Sequence, residues 1–442
     1  MAGDGVGVAV LGGGITGLAT AWFLRQAAPD LPVTIYEAGD RLGGKIRTSE
    51  LAGRPVEEGP DTFLARVPWA VELCRRIDLG DDLVEPATSR AYVWTRGALR
   101  PLPPGTVLGV PGRLGPLVRS GIVSPAGLAR AGLDLVLPRR SHGDDPSVAD
   151  VVAGRFGREV AQRLVEPLVG GIHAGRADRL SLTAVAPQIA GVARSSRSLL
   201  VGLRRMAPRP GGPVFLGVRG GLGRLVDRLA DRLDGVDVRL RSPVVSLDDV
   251  AAAAVVCTLP APAAARLAPA EAAAELGAIR HASVVTVTLA YPATALARPL
   301  DGSGFLVPRI DGRLMTACSW TSSKWPGSSP DGVVFLRPSA GRIGDDRALQ
   351  LDDATLVDRL HGELVEAMGL RARPAEWLVS RWPEAFPQYD VGHQARVARI
   401  EAALPPGLVL AGAPYRGVGI AACIRDAELA AAKAVAAVGL AA

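Results

Sequence analysis

Val6-Gly7-Val8-Ala9-Val10-Leu11-Gly12-Gly13-Gly14-Ile15-Thr16-Gly17 stands near the start of the chain. Val6 to Leu11 is a short apolar run fit for a buried strand, and Ile15 to Ala27 reads as an apolar helix. Between them Gly12 permits a tight turn, Gly14 lets backbone approach a pyrophosphate, and Gly17 allows close helix packing. The helix start offers unpaired N–H groups to phosphate oxygens. A second strand, Val33 to Tyr36, leads to Glu37 and Ala38. Glu37 follows Gly17 by twenty residues (37 − 17 = 20), where a carboxylate can bond the ribose hydroxyls of an adenosine. An acid there repels a 2′-phosphate, so NADP is not the expected ligand. A glycine-rich turn in an unrelated α/β protein would not need the strand, the helix and the acid together.

The sequel separates FAD from NAD. Asp40-Arg41-Leu42-Gly43-Gly44-Lys45-Ile46-Arg47-Thr48 follows the ribose-binding acid directly. Two adjacent glycines allow backbone to approach a ligand, and Arg41 is placed to pair with a phosphate. This order resembles the large flavoprotein class of monoamine oxidases, phytoene desaturases and protoporphyrinogen oxidases. In that class the far end of the chain returns to cover the flavin. Here Leu408 to Gly412 reads as the returning strand, and Gly417-Val418-Gly419-Ile420 opens an alanine-rich helix running to Val438. The resemblance implies noncovalent FAD. It would be held by Gly12, Gly13, Gly14, Ile15, Thr16, Gly17, Glu37, Ala38, Arg41, Gly43, Gly44 and Lys45, then by Gly59, Pro60, Asp61, Thr62 and Trp382. Gly412, Gly417, Val418, Gly419 and Ile420 would close the site, and the backbone of Val244 would hold the adenine.

Composition agrees with a cofactor enzyme. At 442 residues and 48% hydrophobic content the chain can bury a large core and divide into several domains. The start lacks a charged segment followed by a cleavable apolar one, so no signal peptide is expected. No run reaches the roughly 18 apolar residues of a membrane span, and a cytoplasmic protein is expected, with peripheral membrane association left open. Cys74, Cys257, Cys318 and Cys423 are dispersed, which supports neither a disulfide framework nor a zinc site, and no metal is expected. The net charge of +6 is almost wholly arginine, since the only lysines are Lys45, Lys324 and Lys433. No dense basic block points to nucleic acid; dispersed surface charge, or a basic face toward an acidic substrate or a membrane, remains.

The expected fold is α/β: a Rossmann-like FAD-binding domain assembled from discontinuous segments, with an α+β substrate-binding domain and a helical insertion. The boundaries read as 1–65, 208–275 and 377–442 for the FAD-binding domain, 66–110 and 276–376 for the substrate-binding domain, and 111–207 for the insertion. Gly217 to Leu233 reads as turn and helix, and Val236 to Leu240, Val244 to Leu247 and Val255 to Pro260 as returning strands. Ser283 to Leu289 and Val333 to Leu336 suggest antiparallel strands. Thr106 to Leu137, apolar with few charges, is read as helix core in preference to a channel wall or membrane-adhesive face.

A dispersed set of stretches then narrows the resemblance. Glu58-Gly59-Pro60-Asp61-Thr62-Phe63-Leu64, Glu166-Pro167-Leu168-Val169-Gly170-Gly171-Ile172, Ala174-Gly175, Met315 to Thr321, Lys324-Trp325-Pro326, Arg381-Trp382, Pro387-Gln388-Tyr389 and Val391-Gly392-His393 are similar to the soluble Gram-positive type of protoporphyrinogen oxidase, better described as coproporphyrinogen III oxidase. The likeness runs over essentially the whole length. It departs at Ala421-Ala422, where relatives carry Pro-Asp, and in a short interval between Leu247 and Val255. It implies six-electron oxidation of coproporphyrinogen III to coproporphyrin III, with dioxygen as acceptor and hydrogen peroxide released over three flavin turnovers. A transient contact with another heme-pathway enzyme is conceivable; oligomeric state is not legible. Protoporphyrinogen IX oxidation is the alternative in the same fold, and amine oxidation a more distant one.

No catalytic side chain is assigned, because a pyrrole N–H can release its proton to water. Four propionates favour basic residues at the pocket mouth, and Arg66 and Lys324 are the candidates. Arg381 is read equally well as structural. His173 and His393 are read as structural or loop-fixing, and His142, His281 and His361 as ordinary loop or surface residues.

Overall fold

The computed structural model describes residues 7–138, 143–206 and 212–439. Its first layer is a five-stranded parallel sheet in the spatial order Val236–Arg239, Val33–Tyr36, Val8–Leu11, Ala254–Cys257, Leu408–Leu410. The central strand Val8–Leu11 is buried at all four positions, as a parallel strand covered on both faces must be. Helix Ile15–Ala27 packs against the closing helix Ile420–Ala437. Small buried residues, Gly17, Ala21, Ala427, Ala430, Ala431 and Ala434, let such helices approach closely.

The expected strands of this layer are present with one exception. Val244 to Leu247 is irregular and ends in a 3₁₀ turn, Leu247–Asp249. Pro243 offers no N–H to a ladder, and the preceding N–H groups go elsewhere: Arg241 N–H to Gly39 O (2.7 Å) and Ser242 N–H to Glu37 O (2.9 Å). Val6 lies outside the described residues, and the first strand begins at Val8.

A second, seven-stranded sheet has the order Glu376–Pro387, His281–Pro292, Val333–Ala340, Met315–Ser319, Gly304–Leu306, Tyr92–Thr95, Ala98–Pro101. Every neighbouring pair is antiparallel except Gly304–Leu306 with Tyr92–Thr95. One face buries Val285, Val287, Leu289 and Leu336 with Leu356, Leu360 and Leu364 of helix Asp353–Met368. The alternate residues Thr286, Arg337, Ser380 and Trp382 turn to the other face and reach the backbone or side chains of residues 57–61. A boundary at 377 therefore cuts through a strand of this sheet, because Glu376–Pro387 pairs along nearly all of His281–Pro292. Helix Pro68–Arg76 also departs from the expected division. Its Ala70, Leu73 and Cys74 join the core of the parallel-sheet layer, not that of the second sheet.

Most of the remaining chain, from Leu114 to Arg205, is a helical cluster with its own core. The apolar stretch 106–137 divides between two environments. Leu117, Ile122, Val123 and Ala131 are core, whereas Val118, Leu133, Leu135 and Val136 are exposed. The same stretch holds Asp134, fully buried. Its carboxylate meets Arg155 Nε at 2.5 Å and accepts from Ser198 Oγ (2.7 Å) and Leu200 N (2.9 Å), a network that compensates a charge otherwise costly to bury.

Candidate active site

The glycines of the first motif do different jobs. Gly12 has φ +103°, and a Cβ there would lie 2.8 Å from Thr258 Oγ1. A Cβ on Gly17 would lie 1.8 Å from Gly12 O, so packing alone demands glycine. Gly14, the N-cap of Ile15–Ala27, has φ −73°, which any residue adopts, and a Cβ there would meet nothing within 4 Å. Gly419, the N-cap of Ile420–Ala437, is the same case at φ −82°. Neither the fold nor the backbone requires glycine at these two helix starts, and the missing side chains leave their N–H groups open to a bulky anionic group. The cradle thus fits a pyrophosphate-linked cofactor.

Around it, Glu37 accepts from Gly13 N (2.6 Å) and Gly39 N (2.7 Å) and so stands at the sheet's carboxyl edge. The hydrogen bonds of Arg241 and Ser242 run the chain leading to Val244 past this acid. Gly43 N–H donates to Gly13 O (2.8 Å), docking the second glycine pair on the first motif, with Gly44 close to Gly14. Arg41, expected beside a phosphate, turns onto its own loop. Its guanidinium donates to the carbonyls of Leu42, Gly44 and Ile46 and braces its own loop.

Glu58, absent from the expected site, is the hub of the next segment. Buried, it meets Arg47 Nε at 2.8 Å and accepts from Ser380 Oγ (2.7 Å). Its carbonyl accepts from Thr286 Oγ1 (2.6 Å) and Trp382 Nε1 (3.0 Å). Trp382 is thereby fixed beside Gly59, where a Cβ would lie 2.1 Å from the Lys45 carbonyl oxygen. Next, Asp61 meets Lys324 Nζ at 2.7 Å and Arg337 Nη2 at 3.7 Å. Burial pushes the Asp61 carboxyl up, but these two cations outweigh it and hold it well below the usual carboxylate range. Lys324 is therefore engaged within the protein by a buried carboxylate that it shares with Arg337. Arg66 is exposed and makes no ion pair among the described residues. Arg381 is structural: it pairs with Asp353 and donates to Leu351 O (2.7 Å). Lys45 keeps an accessible side, while the protein around its ammonium lowers its pKa by desolvation.

The closing motif is held from beneath. Tyr389 Oη donates to Ala413 O (2.5 Å) and accepts from Gly417 N (2.6 Å), and its ring stacks on His393 at 4.0 Å. Asp426 Oδ2 accepts from Gly412 N (2.7 Å), and Arg416 pairs with its other oxygen at 3.2 Å. Gly412 itself abuts Thr16, Val418 packs on the helical cluster, and Ile420 is buried in the first core. Tyr389 and Asp426 were not predicted as site residues; the fact that they lie within or beside the motifs was the only signal.

The four described histidines all have their pKa lowered, with burial as the leading cause. His393 Nε2 lies 3.0 Å from Tyr415 O, fixing the loop as expected. Burial lowers the His173 pKa to about 4, so its ring is uncharged near neutrality. His281 is not a loop residue but opens a strand, with Nδ1 2.9 Å from Ile279 O, and His361 lies in helix Asp353–Met368 with Nδ1 hydrogen-bonded to the Tyr291 hydroxyl at 3.0 Å. His142 lies outside the described residues. All four cysteines are free and buried, and burial pushes the Cys423 thiol up to about 11. Among the described residues no His/Cys/Asp/Glu cluster could hold a metal, and no helix is long and apolar enough to cross a membrane.

A parallel sheet with two glycine-capped helix starts at its carboxyl edge, roofed by a second sheet, defines an FAD-dependent oxidase. Residues 15–435 match the family model described as flavin containing amine oxidoreductase, and the chain belongs to that family. It is 35% identical to the coproporphyrinogen III oxidase of Bacillus subtilis over 453 residues, covering 96% of each chain. Identity to the coproporphyrinogen III oxidase of Mycobacterium bovis is 38% over 433 residues, 94% of each. A crystal structure from Exiguobacterium sp. 255-15, provisionally named a protoporphyrinogen oxidase, superposes with a TM-score of 0.88 at 32% identity, covering 96% of this chain and 97% of that one.

Proposed function

We propose that this enzyme oxidises coproporphyrinogen III to coproporphyrin III, with dioxygen as terminal acceptor. The observation that carries the reading is full-length similarity to coproporphyrinogen III oxidases in a chain whose cofactor cradle is intact. Bound FAD supplies a two-electron acceptor that dioxygen can regenerate. Six hydrogens leave the macrocycle, so three dioxygen molecules become three hydrogen peroxide molecules per porphyrin formed.

In this reading the starts of helices Ile15–Ala27 and Ile420–Ala437 hold the cofactor's anionic and ring ends, with Glu37 on the ribose. Gly43, Gly44, Lys45 and the 59–62 segment would line the cleft. Attachment would be noncovalent, and burial of the Cys423 thiol, which pushes its pKa up to about 11, disfavours a link through that residue. The parallel-sheet layer would form the FAD-binding domain and the seven-stranded sheet the substrate domain, with residues 377–387 and helix Pro68–Arg76 reassigned as their packing directs.

Aerobic turnover of coproporphyrinogen III and protoporphyrinogen IX, followed by porphyrin fluorescence and peroxide together, tests the proposal. A strong preference for the first supports it. Preference for the second favours the reading suggested by the name of the Exiguobacterium structure, and activity on neither sinks both.

A further inference from the structure

Four arginines and three carboxylates meet where helix Glu166–His173 crosses the end of the seven-stranded sheet. The outer pairs are well made: Arg176 holds Asp178 at 2.6 and 3.0 Å, and Arg347 holds Asp345 at 2.8 and 2.9 Å. The inner pair is left over. Arg309 Nε is 3.5 Å from Glu166 and Arg342 Nε 3.7 Å from the already engaged Asp345, and both Nε atoms are buried with no hydrogen-bond partner. Arg309 makes one long bond, Nη2 to Ile343 O at 3.3 Å, which also places it beside Arg342. Arg342 is only 8% exposed, its backbone N–H goes to Asp345 O (3.4 Å), and among the described residues its buried Nε has no hydrogen-bond partner. Burial draws both guanidiniums below their ordinary pKa, and Arg309 lowers Arg342 further. Buried charge so poorly compensated is costly for the fold unless an anion shares the site.

We propose that Arg309 and Arg342 together form a carboxylate-binding subsite that seats a propionate of the tetrapyrrole substrate. This rests on the function proposed above. Arg342 lies five residues beyond Arg337 on one strand and its continuation, at most roughly 17 Å along an extended chain. Arg337 itself donates to the carbonyls of Glu57 and Gly59 at the cofactor cleft. Ile343 N–H donates to Ala174 O (2.8 Å), which ties the arginine loop to the end of helix Glu166–His173. That helix sets Gly171 against the Leu306 side chain of the sheet, where a Cβ would lie 3.4 Å from Leu306 Cδ2. Gln388 Nε2 joins the other side through His173 O (2.9 Å), and its neighbour Tyr389 holds Gly417. In this proposal the macrocycle has the cofactor cleft at one edge and the arginine pair at another. Two planar guanidiniums match a carboxylate in a way that an ammonium cannot.

The test is equilibrium binding of coproporphyrin III to the holoenzyme, read by porphyrin fluorescence, for wild type, Arg342→Gln, Arg342→Lys and Arg309→Gln. FAD content and melting temperature identify any variant that has simply lost its fold, and the less buried Arg309→Gln serves if Arg342→Gln does. The expected result is a loss of about 10- to 100-fold in affinity for either glutamine variant, with a partial loss for Arg342→Lys. Coproporphyrin tetramethyl ester should be insensitive to all three. Unchanged coproporphyrin III affinity in folded variants overturns the subsite, as does an equal loss for the ester. Inorganic phosphate is the free-anion probe: if it stabilises wild type and not the variants while coproporphyrin affinity stays constant, the pair serves a free anion and the propionate assignment fails. Failure of wild type to bind coproporphyrin III at all would instead overturn the proposed function.

Discussion

The hydroxyl of Tyr389 stands between two points of the closing turn, donating to Ala413 O at 2.5 Å and accepting from Gly417 N at 2.6 Å. One side chain thus sets the path by which the chain enters the Gly417–Ile420 cap. Tyr389→Phe should keep the ring stack on His393 and lose both bonds, at a cost of about 1–3 kcal/mol for partly buried groups left unpaired. The expected outcome is a lower melting temperature together with faster loss of FAD on dialysis. Wild-type FAD retention in this variant would show that the turn is held by other contacts.

Gly14 and Gly17 separate cofactor approach from packing. Gly14→Val should fold with a near-normal melting temperature in the absence of cofactor, because its side chain enters open space, yet should fail to retain FAD. Gly17→Ala should instead destabilise the fold itself, since its methyl would collide with the Gly12 carbonyl. Absorbance at the flavin band and thermal unfolding of the two proteins give the comparison; yellow Gly14→Val protein would remove the pyrophosphate from that helix start.

The first strand, both glycine motifs and the closing helix were legible because local spacing dictates them. Val244 to Leu247 was misread as a strand because it is apolar, but its neighbours spend their N–H groups on the Glu37 to Gly39 turn. The same limit hid Glu58, whose partners Ser380, Thr286 and Trp382 lie more than 200 residues away. Lys324 shows the converse. As a lone basic residue it invited a substrate role, and only the fold brings it to Asp61.

The Lys324–Asp61 pair predicts a structural effect where the sequence suggested a substrate one. Lys324→Met should leave the buried Asp61 with only longer contacts, to Arg337 (3.7 Å), Trp325 Nε1 (3.5 Å) and Thr62 Oγ1 (3.4 Å), costing about 3 kcal/mol. The melting temperature should fall clearly, and the double variant Lys324→Met with Asp61→Asn should recover part of it. A single variant with wild-type stability and a raised KM would return Lys324 to the substrate site.

Glu57 makes stability depend on pH in a direction opposite to that of a salt-bridged acid. Burial pushes its pKa up to about 7 from an ordinary 4.5, against the opposing pull of the Leu222 N–H, the Thr48 hydroxyl and Arg337. Between these values the folded chain keeps a proton that the unfolded chain has released, so stability from this group is full below pH 4.5 and falls until about pH 7. The interval corresponds to about 3 kcal/mol at its upper bound. A Glu57→Gln side chain can still accept from Leu222 N–H and bond Thr48 while carrying no charge. The variant should therefore melt several degrees above wild type at pH 8, with the gap closing toward pH 5. A gap that stays constant across that range would mean that Glu57 ionises normally in the folded protein.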